Sequence, residues 1–423
     1  MCPRLICLYI YELIEMKSRW LYIVLVLCLS GSIFAQQFRF LKEQQPYVHI
    51  PFDFFNNFII INVRLNGLPL KFIVDTGAEY TILFQKDIAD LLGMEYGRRV
   101  RLMGADMSTE LYARVLPNSS LLLEDQCHIM TQLLVLEEDF YEMDRLIGMP
   151  IAGVIGGAVL RNFVLKIDYL KPELSLYHPR FFRAPNGFQQ VPLEIEKSKP
   201  FFTSRVTMAN GTTKDLRLLL DSGASLAALL FATEENGVVL PDSILSGVLG
   251  HGLGGRIQGH MGRVDSLQIG PYGFARFLGS YQRLAAGDSI LQSHSRDGVL
   301  GNALLSRFTL IIDYKQEELL LKPNRLYKKK IRYDRSGLIL ISSGSQLKDI
   351  LVLDLIADSP AYKAGIRPGD EITHVNGVSV HLYSLERVLK KMSGKSGRRI
   401  RLRIKKSGSG ERVQHSFVLK DLL

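Results

Sequence analysis

The sequence predicts a mainly β protein built as two tandem β lobes followed by a small α+β domain. Three observations carry this reading. A pair of motifs recurs at a fixed distance along the chain, each copy consists of short apolar strands separated by turn signals, and the charge changes character near Lys328. A chain of 423 residues is too long for one ordinary core, and 47% hydrophobic with 22% charged residues is a globular composition. From Lys328 onward 20 basic residues face 9 acidic ones, whereas the rest of the chain holds 32 against 33. Two chemically different units share the polypeptide.

The N-terminus reads as a leader over residues 1–35. From Met16, Lys17-Ser18-Arg19 precedes an apolar run from Trp20 to Leu29, and small residues lead to Ala35. A basic segment, a short apolar core and a small residue at the end describe a secretory signal peptide. The expectation is a start at Met16, cleavage after Ala35 and export across the inner membrane to the periplasm. An uncleaved membrane anchor is the alternative. Cys28 lacks the preceding small residue of a lipoprotein signal, which argues against a lipid anchor. Cys2, Cys7 and Cys28 fall in this leader, so Cys127 stands alone in the mature chain and no internal disulfide forms.

The repeat then sets the domains. Leu70-Lys-Phe-Ile-Val-Asp75-Thr76-Gly77-Ala78 is answered by Leu216-Arg-Leu-Leu-Leu-Asp221-Ser222-Gly223-Ala224, 146 residues later. The segment from Gly153 to Tyr169 is echoed by Gly298 to Tyr314 at an offset of 145. Two motifs held at nearly one offset point to duplication. Asn66-Gly67 and Asn210-Gly211 between apolar, β-branched runs predict a hairpin in each copy, whose returning strand leads into the aspartate. These signals place the first lobe at 38–182, a Pro-rich linker from Pro179 to Pro200, the second lobe at 189–326 and the C-terminal domain at 328–423. That last domain shows strands near Gly337–Leu340, Ile350–Leu353, Glu371–Val375 and Arg399–Ile404. Helices are expected at Pro360–Ala364 and Ser384–Met392.

The chemistry implied by a doubled Asp-Thr/Ser-Gly motif is direct. Gly77 and Gly223 lack a Cβ, so two such loops can approach closely about a pseudo-two-fold axis. Thr76 and Ser222 offer hydroxyls able to bond across to the opposite loop. Asp75 and Asp221 would then face each other and share one proton, making one a general base for water and the other an acid toward a carbonyl. A lone motif of this kind is weak evidence, since it also suits a plain turn after a strand. Two at equivalent repeat positions are strong evidence.

At these residues the chain resembles the retropepsin-like and pepsin-like aspartic proteases, over roughly residues 45 to 325. The resemblance implies that each Asp-Thr/Ser-Gly loop supplies one catalytic aspartate, Asp75 and Asp221. It also implies that Val154-Ile155-Gly156 and Val299-Leu300-Gly301 pack beside those loops. Asp75-Thr76-Gly77-Ala78 followed by Thr81-Ile82-Leu83 is closest to the retropepsin form. The second copy departs with Ala227 where the first has Thr81, which should alter loop packing and not chemistry. Retropepsins dimerise to assemble two aspartates; one chain carrying both implies a self-sufficient monomer without cofactor. Leu102–Tyr112 and His251–Gly259 occupy comparable positions and read as cleft flaps or plain loops. His251, His260 and His294 match no metal-ligand spacing, so no metal is expected.

In the C-terminal domain, the run from Ala357-Asp-Ser359-Pro360 through Gly365-Ile366-Arg-Pro368-Gly369-Asp370-Glu-Ile372, with Asn376-Gly377, resembles bacterial PDZ domains. The resemblance implies a peptide added as a β-strand, with its terminal carboxylate at Gly337-Leu338-Ile339-Leu340. Ile339 stands where a second glycine is usual, which weakens carboxylate capture and leaves strand addition. The basic cluster from Lys390 to Lys406 reads either as a solvated face or as a surface drawn to acidic peptides or the phosphate-rich envelope. Nucleic acid is not an expected partner of an exported chain. Together these features predict an exported aspartic endopeptidase acting on polypeptides, with a PDZ domain binding substrate or partner peptides. The alternative is a peptidase fold that binds peptides without cutting them.

Overall fold

A computed structural model describes residues 37–41, 46–106, 108–138, 143–284 and 296–423. The expected leader, with the expected Met16 start and cleavage site and three of the cysteines, lies outside these residues. Strands account for 51% of the structure and helices for 9%, the mainly β fold that the alternation predicts.

Among the described residues the strands form four sheets. One, from Gln37–Phe40 to Gly153–Ile155, belongs to the first lobe, and its counterpart runs from Glu194–Glu196 to Gly298–Leu300 in the second. Both predicted hairpins are present. Phe58–Leu65 and Leu68–Val74 turn at Asn66 and Gly67, whose φ of +47° and +91° lie in the region that Asn and Gly tolerate best. Lys199–Met208 and Thr213–Leu220 close over a longer loop, in which Asn210 Oδ1 accepts from the Thr212 amide at 3.0 Å. Each returning strand ends buried, at Val74 and Leu220, and passes straight into its aspartate.

A third sheet joins the lobes. Its centre pairs Val164–Asp168 antiparallel with Phe308–Asp313, the two strands that the repeat had marked as equivalent. Phe163 and Phe308 are fully buried there, each side chain contributing about 1.5–3 kcal/mol of burial. One hydrophobic core runs continuously from the first lobe through this sheet into the second. The linker is shorter than its prolines suggest. Gln189–Pro192 already pairs with Glu318–Pro323, and Glu194–Glu196 with Lys199–Met208, so strand structure resumes at Gln189. Pro192 is tolerated because it ends an edge strand, where no amide donor is needed.

The C-terminal domain has a separate core, including Leu340, Val352, Ile372, Val388 and Leu402. Its sheet runs from the edge strand Leu338–Ser343 through Asp349–Leu355, Glu371–Val375 and Arg399–Lys405 to Arg412–Val418. Both expected helices form. Ser359 caps Pro360–Lys363 and Ser384 caps Leu385–Met392, each hydroxyl accepting from a backbone amide in the first turn. The domain docks on the first lobe through the short helix Met143–Ile147: Arg145 Nε donates to the Ser342 carbonyl at 3.4 Å. The neighbouring Gly148 lies so close that a Cβ there would sit 3.2 Å from Leu385 Cβ. On the second lobe, Arg263 donates to a C-terminal oxygen of Leu423 at 2.5 Å.

Candidate active site

The two Asp-Thr/Ser-Gly loops meet at the base of a cleft between the lobes. Each is held by the strand that carries the apolar-apolar-Gly motif of its lobe: the Asp75 amide donates to the Ile155 carbonyl and the Asp221 amide to the Leu300 carbonyl, both at 3.0 Å. Gly153–Ile155 runs parallel to Leu68–Val74, and Gly298–Leu300 parallel to Thr213–Leu220, which places Val154-Ile155-Gly156 and Val299-Leu300-Gly301 beside the loops.

Across the pseudo-axis the hydroxyls interlock. Thr76 Oγ1 donates to the Leu220 carbonyl at 2.7 Å and accepts from the Ser222 amide at 2.9 Å. Ser222 Oγ donates to the Val74 carbonyl at 2.8 Å and accepts from the Thr76 amide at 3.0 Å. Both side chains are buried, at 0% and 1% exposure, so water competes for none of these bonds. Gly77 and Gly223 serve the close approach more directly than loop packing alone requires. A Cβ on Gly77 would fall 2.5 Å from Asp221 Cγ, and one on Gly223 would fall 2.3 Å from Asp75 Cγ.

Backbone amides orient the carboxylates. Asp75 Oδ1 accepts from Gly77 and Ala78 at 2.8 and 3.0 Å, and Asp221 Oδ1 from Gly223 at 2.7 Å. Burial pushes the Asp75 carboxyl well above its usual range, and the charge and hydrogen bond of Asp221 push it further. Burial also raises Asp221, but the Gly223 amide, the bond from Asp75 and the positive charge of Arg296 oppose that rise. Burial thus raises both carboxyls, and their proximity makes them titrate as one pair.

Thr81 and Ala227 show why the second copy tolerates its departure. Thr81 Oγ1 accepts from the Gly156 amide at 3.1 Å, whereas the Gly301 amide donates to the Ala227 carbonyl at 3.0 Å. The backbone bond replaces the hydroxyl.

Both flap segments roof the cleft. Arg99–Met103 with Glu110–Leu123 forms the first hairpin, and Ile244–Gly252 with Gly255–Ile269 the second. Their tips touch: the Ala105 amide donates to the Leu253 carbonyl at 2.5 Å, and a Cβ on Gly252 would lie 2.4 Å from Ala105 Cβ. Beneath them lies a cavity of about 340 Å³ bounded by both aspartates, Phe58, Met143, Lys199 and Arg296 among others. Of the histidines, His251 lines this cavity and His260 bonds Ser246, while His294 lies outside the described residues. Among the described residues no three His, Cys, Asp or Glu side chains are grouped to hold a metal.

Asn302 was not marked by the motifs. Its amide donates to the Ser222 and Asn57 carbonyls at 2.6 and 2.8 Å, and its oxygen accepts from Tyr169 at 2.6 Å. It thereby ties the second loop to the first lobe. The repeat offered a signal, because Asn302 stands where the first copy has Gly157. Lys199 and Arg296 also escaped notice, since neither lies in a recurring motif.

In the C-terminal domain Gly337 has φ +79°, and Leu338 and Leu340 are buried with Ile339 partly exposed between them. The Gly337 amide already donates to Asp334 Oδ1 at 2.6 Å, and the Leu338 amide to Ser336 Oγ at 3.1 Å. Two donors of the expected carboxylate loop are thus engaged internally. Leu338–Ser343 hydrogen-bonds to one strand, Asp349–Leu355, and the first lobe packs against it at Ser342, whose carbonyl accepts from Arg145 Nε and whose Oγ lies 2.9 Å from where a Cβ on Gly148 would stand.

Comparison with known proteins finds two family models in this chain. Residues 61–157 match the aspartyl protease family model, and residues 351–406 match the PDZ domain model. The chain is 41% identical over 89 residues to a probable CtpA-like serine protease of Staphylococcus haemolyticus, covering 20% of this chain and 18% of that protein. It is 39% identical over 62 residues to the carboxy-terminal processing protease CtpA of Bacillus subtilis, covering 15% and 13%. The chain thus spans less than a fifth of the length of these curated relatives. Among solved structures, the aspartic proteinase from Irpex lacteus aligns with a TM-score of 0.43 at 11% identity, over 67% of this chain and 99% of that one. Basic 7S globulin from soybean aligns with a TM-score of 0.39 at 9% identity, over 67% and 97%. Residues 61–157 thus carry aspartyl protease family sequence and residues 351–406 carry PDZ sequence, in that order along the chain.

Proposed function

We propose that this chain is a single-chain aspartic endopeptidase that hydrolyses polypeptides outside the inner membrane. The observation that carries the proposal is the interlock of Thr76 and Ser222, which brings the carboxylates of two equivalent loops to one point beneath the flaps. The ionised member of the Asp75/Asp221 pair takes a proton from the attacking water. The other, which burial beside its partner keeps protonated, donates its hydrogen bond to the scissile carbonyl oxygen as charge develops there. The proton gained by the ionised member then passes to the departing amine. The serine chemistry named for the partial relatives is not carried over, because they share under a fifth of their length with this chain.

The PDZ domain would receive an extended segment of substrate or partner along Leu338–Ser343, a mode that requires the first lobe's contact at Ser342 to part. Since Asp334 and Ser336 occupy two loop amides, strand addition supplies more of the binding than a terminal carboxylate does. The export reading rests on residues 16–35 alone.

The deciding experiment incubates the chain from Gln36 onward with a peptide library and maps the cuts, with and without pepstatin. Pepstatin-sensitive cleavage supports the reading; binding without any cleavage would favour the adaptor.

Two further results are expected. Specific activity should stay constant on dilution, because both aspartates come from one chain; a steep decline at low concentration would show an obligate oligomer. The pH–rate profile should be bell-shaped with its optimum at roughly pH 5 to 6.5. Ala78 and Ala224 provide no hydroxyl to stabilise either carboxylate's charged form, and burial raises both groups. An Ala78→Ser, Ala224→Ser double variant should move the optimum downward, and an optimum near pH 2 in the unaltered protein would overturn the argument.

A further inference from the structure

The duplicated lobes present different walls to the cleft. In the first lobe the hairpin Asp53–Phe55 to Phe58–Leu65 turns at Asn56 and Asn57, with φ of +48° and +64°. In the second, Glu194–Glu196 to Lys199–Met208 turns at Lys197 and Ser198, with φ of +47° and +64°. The turns are the same, so Phe58 and Lys199 hold equivalent positions, and both line the catalytic cavity. A second equivalence follows from the backbone. The Phe84 amide donates to the Ala152 carbonyl and the Phe231 amide to the Asp297 carbonyl, each at 2.8 Å. Ile151 of the first lobe therefore corresponds to Arg296 of the second. Phe84 and Phe231 are conserved between the lobes, while Phe58 and Ile151 are exchanged for Lys199 and Arg296.

One wall is thus apolar, with Phe58, Phe84 and Val154 beside Met143. The other sets two cations among Leu229, Phe231 and Val299. Lys199 is only 9% exposed, and no hydrogen bond or ion pair to its ammonium is found among the described residues. Glu79 and Glu196 are the carboxylates whose charge reaches it, against Arg296 and Lys197. Arg296 lies with its guanidinium carbon 5.6 Å from the centre of the Phe231 ring and its charge felt by Asp221. A desolvated ammonium on an apolar wall is costly to keep unless a ligand completes it.

We propose that the cleft reads its polypeptide substrate asymmetrically: a bulky apolar side chain lies against the first-lobe wall, and an acidic side chain close to the scissile bond is received on the second-lobe wall by Lys199, with Arg296 adding to the local positive charge. The inference rests on the aspartic peptidase reading and specifies its substrate class. Two carboxylates sharing one proton would otherwise repel an acidic residue nearby. Lys199 and Arg296 offset that repulsion on one side only.

The test uses quenched fluorescent peptides with bulky apolar residues at the cut, identical except that one flanking position at a time carries Glu or its isostere Gln. At a pH of about 6 the Glu side chain is ionised. The Glu peptide should be favoured in kcat/KM by about tenfold or more at one position within two residues of the cut, as expected for a buried charge-assisted bond. In Lys199→Met the Glu/Gln ratio should fall to about one, and Lys199→Arg should retain a preference for Glu. Because the readout is a ratio within one variant, a general loss of activity does not mimic it. No preference in the unaltered protein, or a preference that survives Lys199→Met, overturns the proposal. If no peptide is cut at all, the peptidase reading fails separately. Fluorescence anisotropy of the same labelled pair bound to Asp75→Asn, with and without Lys199→Met, then decides the acidic subsite. A Glu preference that depends on Lys199 supports it, and equal binding rejects it.

Discussion

Asp75→Asn and Asp221→Asn should each lower kcat/KM by about 10⁴-fold or more, with the double variant little worse than either single one. Residues that act as a unit lose their function together. The variants should nevertheless be more stable than the parent at neutral pH. Both carboxyls have folded-state pKa values raised above the ordinary 3.8, mainly by burial. Between that value and the raised one, the folded protein retains a proton that the unfolded chain has released, so stability falls as pH rises through this window. Asn removes that dependence. The gain in Tm of Asp75→Asn should be largest near pH 7 and shrink as pH falls toward 3.8, below which both states are protonated. Full activity in Asp221→Asn would refute the two-lobe mechanism, and a Tm advantage that grows toward acid would refute the assigned direction of the shifts.

Gly77→Ala and Gly223→Ala should abolish activity to a similar extent by a different route. The added methyl group would need to occupy space 2.5 Å or 2.3 Å from the opposite carboxylate carbon, well inside contact distance. The carboxylate cannot swing aside freely, since Asp75 Oδ1 is held by two amides and Asp221 Oδ1 by Gly223. Either the two loops separate or a carboxylate leaves its amide donors, and both outcomes break the dyad. Overpacking of this kind also costs about 1–3 kcal/mol of stability, in contrast with the stabilisation expected for the Asn variants. Gly273→Ala is a suitable control, because a Cβ there meets nothing within 4 Å. Near-normal activity and Tm in Gly223→Ala would show that the loops do not approach as closely as described.

Much of the fold was legible because its determinants are local or periodic. Asn-Gly turns, apolar strands ending in Asp, and a repeat offset near 146 residues are written in consecutive residues, and they led to both hairpins, both loops and the parallel strands beside them. The linker was misjudged because prolines mark where a strand lacks a donor, not where a domain ends. Pro192 sits at the end of an edge strand, a position that only its pairing with Glu318 reveals.

The site divides in the same way. Asp75, Thr76, Gly77 and their counterparts could be named from the motif because duplication copied the chemistry along with the residues. Lys199 and Arg296 could not, because neither lies in a recurring motif, and the only trace of Asn302 is that it stands where the first copy has Gly157. Asn302 acquires its role through carbonyls 80 and 245 residues away in the chain, and Lys199 through a turn that matches another turn only in backbone angles. The sequence by itself determined two lobes, two aspartates and a third, basic domain. The tertiary structure decided that the two carboxyls are buried together with raised pKa values, which glycine faces which carboxylate, and which wall of the cleft is charged. Those properties depend on desolvation and on atoms brought within a few ångströms by folding, and neither exists in the extended chain.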